Sequence, residues 1–528
     1  MDWCRVRHRT FALKKEKNKV KNAFKSLALA FGVAALSASA MAQDSGPLLD
    51  ALVKKGVLSD NEAEDIRVNL VKEYNSTSAG KLQISGFVKN LQLFGDARLR
   101  YQWQDVQTPR SGAPAGAIVD TVNDRYRYRL RVGANYTYDS HWSATVRLET
   151  GSQNDSANSD WGNYWSKNGT GDPIAVGQLY LTYKTKFEVF DSTSTVPDGK
   201  SFKTIHDPGL TIGSTTIIGR APKTVLLSDA FFFGDLNPEG LTQEFTFDNV
   251  GIDGLSFALR GAGYLTTNEQ STAPNGPIHN TSVDGGDGGL FIAQFEGKYA
   301  FSTGILKGSN VRIAPLYLQE SAGASQLAAT NNATGVAEGG STSGAGSIPS
   351  QGNLRVIALP AEFNWKSDVF GLFGKKLPQQ IFGTYGANLA GNSRLAEMYA
   401  SNGGAGPTPL HGNNTFWNAG YQIGQNKAKG DWSLKGEWRW IEAASYTTNL
   451  TDSNWAGGGA NQQGFVVSAG YNLTDAVQVQ GTWYHSNPIA DSRGAGTINA
   501  TPSANYGAST FFNQGQVDIV QADLLWKF

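Results

Sequence analysis

The sequence predicts an all-β fold, a transmembrane antiparallel β-barrel of about 16 strands behind a short N-terminal helical hairpin, with 18 strands as the alternative. Three observations predict it: runs of about ten residues that alternate apolar with polar side chains, connections that are short on one side and long on the other, and a final strand that ends on an aromatic.

Alternation starts early. Gly95, Ala97, Leu99, Tyr101 and Trp103 share one face, and Asp96, Arg98, Arg100 and Gln102 the other. Tyr128, Leu130, Val132, Ala134, Tyr136 and Tyr138 then oppose Arg127, Arg129, Arg131, Asn135 and Thr137, and Trp142, Ala144, Val146 and Leu148 oppose Ser143, Thr145, Arg147 and Glu149. The pattern returns late, with Trp432, Leu434, Gly436, Trp438 and Trp440 against Lys435, Glu437 and Arg439, and again over Phe465 to Tyr471 and Val477 to Trp483. Runs of this length cross ~30 Å of hydrocarbon as tilted strands. A soluble sandwich also alternates, but here aromatics recur at the ends of the apolar faces, where a lipid interface needs them. Tyr138 to Trp142 reads as a tight turn, whereas 151–174, 266–289, 321–352, 391–417, 445–463 and 486–512 are long and rich in Gly, Ser, Asn and Thr.

Ile519 to Phe528 reads IVQADLLWKF, with Trp526 and Phe528 on its apolar face. Such a strand must close the barrel against the first, because an open edge in lipid would leave backbone groups unsatisfied. Its aromatic end also resembles the insertion signal of outer-membrane barrels, which makes the barrel-assembly machinery an expected partner. With both termini on the periplasmic side the strand number is even.

Ahead of the barrel, residues 14–25 are strongly basic, Leu27 to Leu36 are almost wholly apolar, and Ala40-Met41-Ala42 offers small residues for cleavage. Residues 1–42 therefore read as a signal peptide, its apolar stretch too short to span a bilayer, with Val20 as a possible translation start. Residues 43–80 read as a periplasmic helical head and linker. A first helix runs through Leu48, Leu49, Leu52 and Val53 to Gly56; a second starts at the Ser59/Glu62 capping box and carries Ala63, Ile66, Leu70 and Tyr74. Residues 81–528 are the barrel.

Charge is balanced over the whole chain, at 45 basic and 45 acidic residues, but removing residues 1–42 leaves 36 basic and 43 acidic. A net negative chain argues against a nucleic-acid partner. The one cysteine, Cys4, lies in the leader, so neither disulfides nor Cys-based metal sites are expected. The remaining histidines (His141, His206, His279, His411, His485) form no H-E-x-x-H, and neither a G-x-S-x-G elbow nor a P-loop is present. Catalytic residues, metal and cofactor are accordingly expected to be none. A barrel lipase or protease is the rival reading, to be separated by hydrolase assays, and a plugged adhesin-like barrel is another, to be separated by conductance. A β-solenoid lacks a fixed repeat period. Asp284 to Gly289 holds a single calcium-type glycine turn and reads as a flexible loop.

A barrel this wide has a wet, polar interior. The polar faces place Arg98, Arg100, Arg127, Arg129, Arg131 and Arg147 on neighbouring strands, the candidate pore-lining set, with Asp96, Asp124 and Glu149 as offsetting carboxylates. A basic ladder in a narrow aqueous channel attracts anions and slows cations. Trp161, Tyr164 and Trp165, in a long loop, are placed either to stack on sugar rings or to anchor the interface. The expected function is passive diffusion of small hydrophilic solutes or ions.

A family resemblance accompanies this reading. Gly95 to Arg100, Arg127 to Arg131 and Arg147 to Gly151 look like the opening strands of the Gram-negative "putative porin" family. Gly219-Arg220-Ala221-Pro222 and Asp235 to Leu241 are similar to two further patches of that family, Asp431 to Ala443 to a late strand, and Leu52 to Ser59 to its N-terminal stretch. The resemblance covers most of the chain beyond the leader. It implies a porin architecture in the outer membrane, contact with lipid and lipopolysaccharide, and a homo-oligomer, commonly a trimer; it names no solute.

Overall fold

A computed structural model of the full chain describes residues 90–109, 118–151, 158–161, 174–190, 192–198, 201–207, 209–265, 289–320, 354–368, 376–393, 414–442, 444–447, 450–456, 460–489 and 516–528. The signal peptide, the helical head, Tyr164, Trp165 and the Asp284 to Gly288 glycine turn lie outside the described residues.

The strands, in chain order, are β1 (Asn90–Pro109), β2 (Ile118–Thr137), β3 (Trp142–Thr150), β4 (Ser159–Asp160), β5 (Ile174–Val189), β6 (Ser192–Asp198) and β7 (Ser201–Asp207). Then come β8 (Leu210–Arg220), β9 (Glu239–Asp248), β10 (Leu255–Leu265), β11 (Gly289–Ala300), β12 (Asn310–Ile313), β13 (Leu316–Glu320) and β14 (Arg355–Ser367). The last are β15 (Leu377–Asn388), β16 (Thr415–Gly424), β17 (Trp432–Ile441), β18 (Gln462–Asn472), β19 (Val477–Pro488) and β20 (Val517–Lys527).

Each wall strand pairs antiparallel with its neighbours, and β1 pairs with β20 from Asp96↔Lys527 to Val106↔Val517, so the sheet closes on itself. The closed wall has 16 strands, the lower of the two expected numbers. β12 and β13 together fill one place between β11 and β14. Pro315 separates them, a residue without a backbone N–H to give to the ladder. Two pieces stand outside the wall count. β4 covers the upper part of β2 at Arg127↔Asp160, where the nine-residue β3 falls short of the 20-residue β2. β6 and β7 pair only with each other.

Period-two alternation decides which side chains face out. Leu99, Leu130, Val146, Leu181, Leu259, Ile381 and Leu434 are exposed, while their strand neighbours are buried or half-buried. Aromatic pairs stand at both rims of this outer face. Trp142 with Tyr183 (4.7 Å), Phe363 with Trp365 (5.3 Å) and Trp526 with Phe528 (5.3 Å) mark the end where Asn90 lies. Tyr101 with Tyr126 (5.3 Å), Trp417 with Trp440 (6.4 Å) and Phe465 with Trp483 (4.8 Å) mark the other. Along β17 the outer face runs from Trp432 to Trp440, roughly 27 Å of strand at ~3.4 Å per residue and about 20 Å of height at the usual strand tilt, most of an apolar band about 25 Å tall.

The buried apolar core lies inside the barrel. Phe231 and Phe232, from the β8–β9 connection, and Tyr446, Leu450 and Trp455, from the β17–β18 connection, cluster with inward-facing Leu290, Ile292, Leu316, Leu318, Val356 and Phe416. A 16-stranded interior is wider than side chains of the wall can fill; here folded-in connections occupy the side lined by β10 to β18.

Candidate functional site

The predicted arginines sit together on the inner face of β1, β2 and β3. Register places Arg98 opposite Arg129 and Arg100 opposite Arg127, and Asp96 opposite Arg131, while Glu149 of β3 pairs in register with Arg131. Arg98, Arg100, Arg127 and Arg129 are buried, in each case less than a tenth exposed. So many guanidinium groups on one wall would repel one another strongly in a low dielectric, and the fold answers with two carboxylates on the same strands and three brought from elsewhere in the chain.

Arg100 donates through Nε and Nη2 to the two oxygens of Asp523 on β20, at 2.7 and 2.8 Å. Arg127 meets Asp160 of β4 at 2.8 Å. Arg131 donates to Asp96 at 2.7 Å and Arg129 to the other oxygen at 3.1 Å. The same two arginines both reach Asp235, at 3.2 Å each. Arg147 lies 3.0 Å from Glu149, two residues on and on the same face. Arg98 differs in that it donates to the amide oxygen of Asn158 and touches no carboxylate among the described residues; its Nε, like those of Arg129 and Arg147, is buried without a hydrogen-bond partner. Asp124 does not join the set, because β2 turns it to the outer face opposite Trp103.

Asp235 arrives on the connection between β8 and β9, residues 221–238. This segment leaves the wall where Gly219, at φ +123°, faces Gly240 and where Arg220 donates to Glu239 at 2.7 Å. Only glycine accepts that φ readily. Inside, Lys223 donates to Asp229 (2.6 Å), to the Leu227 carbonyl (3.0 Å) and to the Phe232 carbonyl, which ties the segment into a compact knot. Gln294 of β11 fixes it to the wall, accepting from Leu226 N–H and donating to the Leu226 carbonyl, both at 2.8 Å.

Charge follows burial here in two opposite ways. Burial holds the Lys223 ammonium below its ordinary range even with Asp229 beside it. Burial alone would raise the Asp235 carboxyl, but Arg129, Arg131, Arg98 and Arg147 together outweigh it and hold that carboxyl below its ordinary value.

The second folded-in connection locks against the first. Phe233 N–H donates to the Leu450 carbonyl at 2.8 Å, and Phe231 packs on Phe416 (4.5 Å) and Tyr446 (5.9 Å). Arg439 of β17 donates to Asp452 at 2.9 Å, pairs with Glu437 at 3.2 Å and lies over the Trp455 ring. Asn454 accepts from Gln521 of β20 at 3.0 Å. The two connections are thus built into the interior by ion pairs and apolar contact rather than laid across its mouth.

A second charged row crosses the opposite inner wall. Glu244 of β9, Arg260 of β10, Glu296 of β11, Arg312 of β12 and Glu362 of β14 alternate in sign, at 2.5, 2.5, 2.8 and 3.3 Å in turn. Sequence reasoning missed this row. Its signal was present, since each member stands on the polar face of an alternating strand, but those strands were not among the ones read. Trp161 lies outside the wall, against Tyr126 at 5.8 Å, and so takes the anchoring position rather than a place in the interior. Among the described residues no group of three or more His, Cys, Asp or Glu is arranged to hold a metal ion.

Comparison with known proteins supplies a family match over part of the chain and a set of barrels. The chain is similar in structure to OprB of Pseudomonas putida (9% identity over 83% of this chain and 94% of that one, TM-score 0.39). It is also similar to OmpF of Salmonella typhi, solved in complex with daunomycin (11%, 84% and 99%, 0.37), and to the outer membrane channel DcaP of Acinetobacter baumannii (9%, 83% and 97%, 0.36). No curated protein matches it. Residues 380–528, the wall from β15 to β20, match the profile of the family described as "putative porin". By that match the C-terminal part of the chain is similar to the "putative porin" family.

Proposed function

We propose that this protein is an outer-membrane porin, through which small hydrophilic solutes or ions diffuse passively along an aqueous path inside the barrel, with a preference for anions. A single observation carries the reading: a closed wall, apolar outside, keeps buried arginines on its inner face, where they would be untenable against lipid. The path follows the β1 to β5 side, because the apolar core of the two folded-in connections occupies the other. Arg98, Arg100, Arg127, Arg129, Arg131 and Arg147 line it together with Asp96 and Glu149. Their field favours anions, moderated by the carboxylates that partner most of them. The family match over residues 380–528 supports the porin reading, and the reading brings with it the expected partners: lipid, lipopolysaccharide, the assembly machinery and further copies of the chain.

Reversal potentials across planar bilayers, with the purified protein under a salt gradient, test this. A potential of the sign set by anion flow is expected. Cation preference that persists unchanged when Arg129 and Arg131 become Ala overturns the selectivity, and a folded barrel that carries no current overturns the channel.

A further inference from the structure

Every other arginine of the cluster has a carboxylate; Arg98 has an amide. Arg100 holds Asp523, Arg127 holds Asp160, Arg129 and Arg131 share Asp96 and Asp235, and Arg147 holds Glu149. Arg98 is only 9% exposed, it donates through Nη2 to Asn158, and its Nε is buried with no hydrogen-bond partner. Its cross-strand neighbours are Arg129 on one side and Leu525 on the other, a like charge and an apolar chain. The nearest carboxylate on its own strand, Asp96, is already taken on both oxygens.

A buried guanidinium with no carboxylate in contact is costly, and one with an unsatisfied N–H is costlier still. The planar fork of Arg is suited to an oxyanion, which it holds by parallel charge-assisted hydrogen bonds. From this geometry we propose that Arg98, with the Asn158 amide, is a discrete subsite for one small oxyanion, a carboxylate or phosphate group of a passing solute. The site rests on the reading of the interior as a solute path, and it deepens that reading. A field set by the whole wall attracts anions of every kind, whereas a vacant fork binds oxyanions and saturates. Chloride, being spherical, gains nothing from the fork.

The test measures binding and current separately. Isothermal titration of the detergent-solubilised full chain with inorganic phosphate, and in parallel with acetate, is expected to show saturable binding of at least one of them. Arg98→Gln is expected to weaken it about tenfold or more, the loss of one charge-assisted donor group. Asn158→Asp keeps the side chain's shape and gives Arg98 a permanent carboxylate, so it is expected to abolish binding in a barrel whose fold is verified by its heat-dependent gel mobility. Should Arg98→Gln fail to fold, Asn158→Asp decides the matter alone. Absence of binding by the unmodified protein, or binding that survives Asn158→Asp unchanged, overturns the subsite. Planar-bilayer current reads the channel independently: a protein that binds phosphate but conducts nothing keeps the subsite and loses the path.

Discussion

Arg100 of β1 and Asp523 of β20 grip each other by two parallel hydrogen bonds, at 2.7 and 2.8 Å, across the seam where the sheet meets itself. Both side chains are about 5% exposed. Removing one partner leaves a buried charge alone, so Asp523→Ala is expected to cost about 3–5 kcal/mol, whereas replacing both with Met and Leu is expected to be far milder. Urea unfolding in detergent, followed by heat-dependent gel mobility, measures both. Equal losses in the single and double variants would mean that the seam does not depend on this pair.

Gly95 faces the same seam on its outer side. Phe528 exchanges backbone hydrogen bonds with it, at 2.9 and 3.1 Å, and the Phe528 ring lies where a Gly95 side chain would begin. A Cβ built there would stand 2.5 Å from the ring and from the Arg131 carbonyl. Gly95→Val is therefore expected to reduce the yield of folded barrel sharply. Heat-modifiable protein in the envelope fraction is the readout.

The clamp between Asp235 and Arg129 and Arg131 gives a pH dependence of known sign. Because the folded carboxyl is held below its ordinary value of 3.8, the contribution of the clamp is full above that value and is lost as pH falls through the lower folded one. Anion preference is accordingly expected to stay flat from neutral pH down to about 4 as far as Asp235 governs it, and to rise below that as the arginines lose their partner. Asp235→Asn is expected to give the raised preference at neutral pH. Reversal potentials against pH for the two proteins check it; a rise near neutral pH in the unmodified protein would contradict the assignment.

Phe231, fully buried between Phe416 and Tyr446, joins the two folded-in connections. Truncation to Ala is expected to cost about 3–5 kcal/mol of local packing and to increase single-channel conductance as the connections loosen. Unchanged conductance with lowered stability would show that these connections do not limit the path.

Much of this was legible in the sequence because strand alternation is local: Leu99 and Leu130 face out, and Arg98 and Arg129 in, by counting residues in twos. Closure by Ile519 to Phe528 was readable for the same reason, and the register then pairs Arg100 with Asp523. What alternation does not encode is where a connection goes after it leaves the wall. Residues 221–238 carried no structural reading beyond two family-like patches at their ends, yet the run Ala230-Phe231-Phe232-Phe233 is too apolar for a segment left in water. Asp235 and Asp160 therefore had no predicted role, although between them they meet three arginines of the ladder at 3.2 Å or less. Alternation also separates Asp96, in step with Arg98 and Arg100, from Asp124, out of step with Arg127, Arg129 and Arg131, although both lie near the arginines in sequence.

The seam carries one more implication, for how the molecule comes to exist. Arg100 and Asp523 are 423 positions apart, so the ring cannot be completed until β20 has been synthesised and brought round to β1. Every shorter intermediate has two raw edges, which in hydrocarbon are intolerable and in water invite aggregation. Closure of the ring is thus a contact between the two most distant strands of the wall, the kind of pairing that costs the most chain entropy to form.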